Sequence, residues 1–503
     1  MSSPAATAAA EPVEQPPPPL PPDTPSLFGR PRWFVTLFGT DMWERFSFYG
    51  MLAILFLFAN APKEDGGLGL STADAGMLFG VYMATVFLSA IPGGWLGDRI
   101  LGSYRATLYG AVTIGCGHLT MTLPSVPTVY LGLLLIGLGS GLLKPNLAGL
   151  LSSCYPREDA ARRDAGFAVF YTSIQLSSLL APLVVGAVGE GANWHLGFGA
   201  AALGMAFGVL QYVRGADSFG EVGRVPERPA TGTERRRVAR VSGAALAVVA
   251  VLITADVLAG TFTIRHVLGL IALLSLSAPV ICFRRLLRNP EVAEPDRVRI
   301  RGYVWLFLAA ALFWGLQVQG GSLLSLFARD FTDRRAFGVV VPASWFQSAT
   351  PLFVLLLAPL FAWLWLRSGE RISATAKFAL GMVLMSLGLL VMAVAAATAH
   401  GEAKASPFWL LLAYLLMGAG EAAFAPVGMS VTTAVAPQAF LSQMVGVFWL
   451  SAALGAGVGS NALKAVGGDA SHPGLFLALG TPALLAGLAL VAAARPLTRR
   501  LGL

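Results

Sequence analysis

Asp41-Met42-Trp43-Glu44-Arg45-Phe46-Ser47-Phe48-Tyr49-Gly50-Met51 lies inside an apolar run from about Trp33 to Phe58, and that placement decides the class of fold. A run of this length crosses a bilayer as one helix. Charges at its middle are costly unless they pair or face water. Asp41, Glu44 and Arg45 stand at i, i+3 and i+4 on one helix face, and Phe48, Tyr49 and Leu52 continue the stripe. Such a stripe reads as the wall of a polar cavity. The competing reading is an ion-pair cluster that only locks neighbouring helices together.

The rest of the chain repeats the apolar theme. It has 503 residues, 55% hydrophobic and 12% charged, and that balance, with repeated apolar runs of about twenty residues, specifies a polytopic α-helical membrane protein. Residues 1–32 form a Pro- and Ala-rich tail that cannot build a core and reads as disordered; no charged start followed by an apolar stretch marks a signal peptide. Six spans follow at about 33–60, 75–97, 104–123, 127–151, 165–188 and 194–213, forming a bundle over 33–213. A polar linker, 214–241, leads to two extra spans near 242–263 and 267–283, called linker helices below. A basic linker, 284–301, precedes six more spans near 302–328, 340–366, 374–398, 407–434, 438–461 and 473–494, a second bundle over 302–494 with a tail at 495–503. Two six-helix halves are the plan of many secondary transporters, with substrate bound between them near the midplane.

Lys and Arg placement sets the expected orientation. Of the 35 basic residues, 26 fall on the side of the N-terminal tail, 7 on the other side, and Arg45 and Lys144 lie within spans. This asymmetry puts both termini in the cytoplasm and accounts for most of the net charge of +8 without a nucleic-acid partner. Cys116, Cys154 and Cys282 stand at no metal or redox spacing and read as packing residues. Asp256 is the in-span charge of the linker helices and reads as a packing or interfacial detail.

Three further stretches carry chemistry. Gly94-Trp95-Leu96-Gly97-Asp98-Arg99-Ile100-Leu101-Gly102-Ser103-Tyr104-Arg105 joins the second and third spans. Its glycines permit a tight turn and close helix approach, and Asp98 can cap the third helix or pair with a basic neighbour. The stretch resembles the loop signature of the major facilitator superfamily, which gives Gly94, Asp98, Arg99 and Arg105 a gating role. Lys144 follows Gly139-Ser140-Gly141-Leu142-Leu143 well inside the fourth span, and Pro145 removes a backbone donor beside it. Glu421 is its counterpart in the second half, flanked by Gly418, Gly420 and Pro426. A buried lysine must find an anion or lose its proton, so a Lys144–Glu421 pair is the economical expectation.

These motifs together resemble the proton-dependent oligopeptide transporter family. Asp41 through Gly50 is similar to its Glu-x-x-Glu-Arg-Phe-x-Tyr-Tyr-Gly signature. Leu142-Leu143-Lys144-Pro145-Asn146 resembles its fourth helix, and Arg163 through Tyr171 its fifth-helix entry. Phe313-Trp314 through Ser322 is similar in part to its seventh helix, and Gly420-Glu421 with Pro426 through Ser430 to its tenth. The resemblance covers about residues 33–460 and implies a major facilitator fold of twelve core helices, with two linker helices typical of bacterial members.

It also implies proton-coupled symport of di- and tripeptides into the cytoplasm, by a monomer in the cytoplasmic membrane. No cofactor beyond the proton is implied, and no metal, and no enzymatic activity. Asp41, Glu44, Arg45 and Glu421 would couple protons. Arg45 and Lys144 would take the substrate carboxylate and Glu421 the amino terminus. Tyr49, Gln175, Trp314, Gln317, Thr350 and Phe448 would line the pocket.

Departures from the pattern reduce polarity. Asp41 replaces a Glu, Phe48 and Phe87 replace tyrosines, and Gln175 and Thr350 replace asparagines. Phe448-Trp449 inverts the usual order, and Leu52 and Val318 stand where an Arg and a Glu are usual. The alternatives are a same-family carrier of a small organic anion and a non-transporting sensor on the same fold.

Overall fold

The computed structural model describes residues 30–156, 159–226, 229–336, 338–399, 403–437, 440–465 and 470–502. Of the tail expected to be disordered, residues 1–29 lie outside them, whereas Arg32 already opens the first helix. Fourteen long helices account for most of the described chain. The first bundle is α1 (Arg32–Asn60), α2 (Thr72–Leu96), α3 (Ser103–Met121), α4 (Val126–Ser153), α5 (Ala160–Gly191) and α6 (Trp194–Arg214). The linker hairpin is α7 (Gly232–Leu258) and α8 (Ile264–Arg288). The second bundle is α9 (Glu294–Gly321) with the short α10 (Leu323–Phe331), then α11 (Ala349–Ser368), α12 (Ala374–Thr398), α13 (Pro407–Val435), α14 (Leu441–Ala465) and α15 (Pro473–Ala492). A short α16 (Ala494–Leu501) lies at its end. Twelve of these helices are long and apolar enough to cross a membrane by length and composition. An even number of crossings puts both tails at one end, the tail end; the opposite is the far end.

Local chemistry sets several boundaries. Ser71 caps α2 by accepting from the Asp74 amide, and Thr231 and Glu234 form a reciprocal capping box at the start of α7. Pro127 and Pro407 sit in the first turns of α4 and α13, where no intrahelical amide is needed. Pro145 and Pro426 lie inside the same two helices, which nevertheless continue through them rather than break. α7 starts ten residues earlier than its apolar run, because the cap extends the helix through Arg235-Arg236-Arg237. The span expected at 302–328 is interrupted at Ser322, and that expected at 340–366 begins with a 3-10 turn, Ala343–Ser348, after a two-residue hairpin pairing Arg335–Ala336 with Val339–Val340.

Small residues let the helices meet backbone to backbone. A Cβ on Gly93 would lie 2.2 Å from the Gly141 carbonyl, binding α2 to α4. One on Gly139 would lie 2.8 Å from the Gly110 carbonyl, and one on Gly420 the same distance from that of Gly381. Without a hydrophobic force between helices in lipid, this close packing supplies the attraction.

The halves meet by a pseudo-twofold rule. The second helix of each, α2 and α11, packs on the fifth of the other, α14 and α5. The first and fourth helices are thereby left to face the centre. Cross-half hydrogen bonds gather at the far end. Glu190 on α5 accepts from the Ala343 and Ser344 amides, both at 2.8 Å, and from Ser344 Oγ. Trp345 donates to Leu183 O, Ser348 to Leu179 O, Gln347 to Ala53 O and Arg329 to Asn60 Oδ1.

The linker hairpin lies outside both bundles. α8 packs on α14 and α2, whereas α7 buries none of its residues. Arg99 bridges to Glu234 at 2.7 Å at the tail end, and Arg265 to Asp74 at 2.6 Å at the far end, so the hairpin is tied to both ends of α2. Asp256 receives Thr261 and His266 at the turn between α7 and α8.

Candidate functional site

The stripe on α1 forms as its spacing requires. Asp41 and Glu44 are 1% and 0% exposed. Arg45 lies between them, its Nε 3.5 Å from Asp41 Oδ1 and 3.6 Å from Glu44 Oε2. Ser173 on α5 donates to Asp41 Oδ2 at 2.6 Å. Lys144 on α4 donates to Glu44 Oε1, and its ammonium sits 4.4 Å from the centre of the Phe48 ring. Two carboxylates and two cations thus make a neutral cluster, which is what a low-dielectric interior tolerates. The phenylalanine at position 48, which lacks the expected hydroxyl, serves here as a cation–π partner.

The second half repeats the arrangement with amides and aromatics. Gln317 on α9 donates to Glu421 Oε2 on α13 at 2.7 Å. Gln317 Oε1 and Trp314 Nε1 are buried and meet no protein partner, so both remain able to bond a guest. Trp314 lies 6.2 Å from Phe424 and 6.1 Å from Trp449, and Phe313 stacks on Phe424 at 3.8 Å.

The expected Lys144–Glu421 pair does not form. Each residue finds its partner inside its own bundle, Lys144 with Glu44 and Glu421 with Gln317. The reason is topological: first and fourth helices of one half are neighbours, while the two fourth helices face each other across the centre. Glu421 lies within electrostatic reach of Tyr49 on α1 and Tyr171 on α5, and Arg45 reaches the same two tyrosines.

The remaining predicted residues divide. Gln175 is buried and donates to the Tyr171 hydroxyl at 3.1 Å. The carbonyl of Thr350 backs Gly418 on α13. Phe448 is 2% exposed and packs on Gly428 within its own half. The next residue, Trp449, faces the other bundle, stacking on Phe87 of α2 at 6.0 Å with a 6° interplanar angle. Successive helical positions point about 100° apart, so only one of the two could cross over.

In the loop after α2, Gly97 lies against Asn146, whose Oδ1 would be 1.6 Å from an added Cβ. Asn146 donates to Gly93 O at 2.9 Å. Gly94 makes only ordinary contact with Pro145, so it is Gly97, with Gly93 and Asn146, that forms the tight joint. Arg99 is bound to Glu234, Asp98 and Arg105 are exposed, and Gly102 rather than Asp98 caps α3, at φ +80°.

Comparison with known proteins agrees with this geometry. A sequence profile described as PTR2, POT family, matches residues 104–470. The chain is 39% identical over 428 residues to an uncharacterized transporter, YclF, of Bacillus subtilis, covering 84% of this chain and 86% of that protein. It is 34% identical over 488 residues to a di-/tripeptide transporter of Lactococcus lactis, covering 95% and 98%. A crystal structure of a peptide transporter POT in complex with sulfate superposes with a TM-score of 0.90 at 37% identity, covering 95% of this chain and 97% of the other. A profile spanning most of the chain and a shared two-bundle architecture lead to one conclusion: this protein is a multi-pass membrane transporter of the POT family.

Proposed function

We propose that the chain imports di- and tripeptides into the cytoplasm in symport with protons, by alternating access between its two bundles. The observation that carries this reading is the division of charge between the bundles, with Arg45 and Lys144 in one half and Glu421 in the other. A zwitterionic peptide needs a cation at one end and an anion at the other. Its carboxylate meets Arg45 or Lys144, and its amino terminus replaces Gln317 as the partner of Glu421.

Charge balance explains why a proton should accompany it. The Asp41, Glu44, Arg45 and Lys144 cluster is neutral when all four groups are charged. A substrate carboxylate adds one negative charge, and a proton on Glu44 cancels it while releasing Lys144 to bind the newcomer. Neither addition is tolerated alone in a low-dielectric site, so the two enter together. Each transported positive charge gains about 2.3 kcal/mol per 100 mV of membrane potential.

The basic loops place the tail end in the cytoplasm. With that orientation, the bonds from Glu190, Gln347, Ser348 and Arg329 close the extracellular side. The bilayer is then the protein's main partner, with a monomer as the working unit, and Arg99, joined to Glu234, belongs to the gate on the cytoplasmic face.

The test is uptake by reconstituted vesicles under an inward proton gradient. Labelled dipeptide should accumulate above its external concentration, and excess unlabelled dipeptide should compete where simple organic anions do not. Equilibration without accumulation would make the protein a facilitator. Competition by anions alone would reassign the substrate.

A further inference from the structure

Arg32 opens α1 and Arg214 closes α6, so both guanidiniums stand at the tail end of the first bundle. The two helices are locked together there. A Cβ on Gly39 would lie 2.0 Å from Gln211 Nε2, and one on Gly215 would lie 2.2 Å from Thr36 Oγ1. Gln211 donates to Val35 O at 3.2 Å, and Arg32 Nη2 donates to Arg214 O at 3.1 Å. Deeper along the same joint, the rings of Trp43 and Phe207 lie 5.4 Å apart.

A groove of about 380 Å³ runs along this joint. Arg32 and Arg214 form its mouth, Trp43, Phe207 and Leu210 line its deeper part, and no carboxylate lines it. Both arginines are exposed, and neither makes an ion pair among the described residues. Phe207 and Leu210 keep 53% and 43% of their surface exposed, on a helix long and apolar enough to cross a membrane. At 1.5 Å per residue, the steps from Arg32 to Trp43 and from Arg214 back to Phe207 put the aromatic floor about 10–16 Å below the guanidiniums.

We propose that this groove between α1 and α6 is a binding site for an anionic phospholipid. Its phosphate is held by Arg32 and Arg214, and an acyl chain lies along Leu210, Phe207 and Trp43. Guanidinium forks suit phosphate oxygens, and basic pockets between spanning helices hold lipid headgroups. A free anion would use only the mouth of the groove and leave its floor bare. A neutral lipid would use the floor and leave two cations without a counter-charge.

The comparison with other basic surface favours this place. A second groove, at Arg284, Arg285 and Arg288, is lined by α8 alone. Here the two cations come from different helices, so one phosphate bridges α1 to α6. The lipid reinforces the tail end of the helix that carries Asp41, Glu44 and Arg45 without entering the central site. By helical periodicity those three side chains point about 100–160° away from Trp43. The site therefore stands whether or not uptake is proton-coupled.

The test uses Trp43 as the reporter. The full chain is reconstituted in phosphatidylcholine vesicles containing phosphatidylglycerol, with bromine on the acyl chains of one lipid or the other as a fluorescence quencher. The chain has 11 tryptophans, so each protein is measured with and without Trp43→Phe, and the difference is the emission of Trp43. Brominated phosphatidylglycerol should quench Trp43 with a preference of about tenfold over brominated phosphatidylcholine. The preference should fall to about twofold or less in Arg32→Gln/Arg214→Gln, and stay at the wild-type value in Arg284→Gln/Arg285→Gln. Inorganic phosphate at millimolar concentration should not displace it.

Equal quenching of Trp43 by the two lipids in the wild type overturns the proposal, since ordinary boundary lipid then fills the groove. A preference kept by Arg32→Gln/Arg214→Gln, or lost equally in Arg284→Gln/Arg285→Gln, also overturns it. Displacement by inorganic phosphate would make this a site for a soluble anion and refute the lipid. If the double variant does not fold, Arg214→Gln carries the comparison, because the Arg214 guanidinium makes no hydrogen bond to the described residues.

Discussion

The Glu44–Lys144 pair makes the sharpest prediction. At a hydrogen-bonding separation of about 3 Å and an effective dielectric of ~20, two unit charges attract by roughly 5–6 kcal/mol before desolvation is counted. Lys144→Met strands Glu44 with only Arg45, and Glu44→Gln strands Lys144 beside Arg45. Each single change leaves a buried net charge and should cost about 3–5 kcal/mol. The double variant returns the site to the neutral Asp41–Arg45 pair and should be less destabilised than the sum of the singles by about 3 kcal/mol. Equilibrium unfolding in mixed detergent micelles measures all four corners of the cycle. A parallel cycle on Lys144→Met and Glu421→Gln should be additive within about 0.5 kcal/mol, because those residues have separate partners. Additivity between Glu44 and Lys144, or strong coupling between Lys144 and Glu421, would refute the arrangement described.

Glu421→Gln keeps the shape of the site but removes its anion, so KM for a dipeptide should rise at least tenfold (about 1.4 kcal/mol) and KM for its N-acetylated form much less; equal losses would remove Glu421 from amine recognition. Gly97→Ala forces a methyl into Asn146 Oδ1 and should cost about 1–3 kcal/mol, whereas Gly149→Ala, with nothing within 4 Å, should be silent in the same unfolding assay. Glu190→Gln weakens bonds to two amides and the Ser344 hydroxyl, each worth about 1.5–3 kcal/mol when the acceptor is charged. The far end should then open more often, read as faster labelling of Ala53→Cys by an impermeant thiol reagent. Arg99→Ala breaks an exposed pair and should change stability by less than about 1 kcal/mol, so any larger loss of transport is a gating effect.

The sequence by itself determined the fourteen long helices, twelve of them long and apolar enough to cross a bilayer, and the charged face of α1, because a bilayer admits few solutions for an apolar run and helical periodicity is local. It also singled out the charges that gather in the first bundle, Asp41, Glu44, Arg45 and Lys144, since an ion inside a membrane stands out against its surroundings. Their partners were a different matter. Lys144 and Glu421 stand at matching places in the two halves, and order along the chain suggested that they pair. Tertiary structure separates them, because a first helix lies beside the fourth helix of its own bundle and carries an acceptor or donor at the right depth. The choice between Phe448 and Trp449 was likewise invisible, as one step along a helix turns a side chain by about 100° and only the packed bundle fixes which face crosses. Pairing of this kind depends on which helix faces are brought together across more than seventy residues of chain, and only the assembled bundle specifies that.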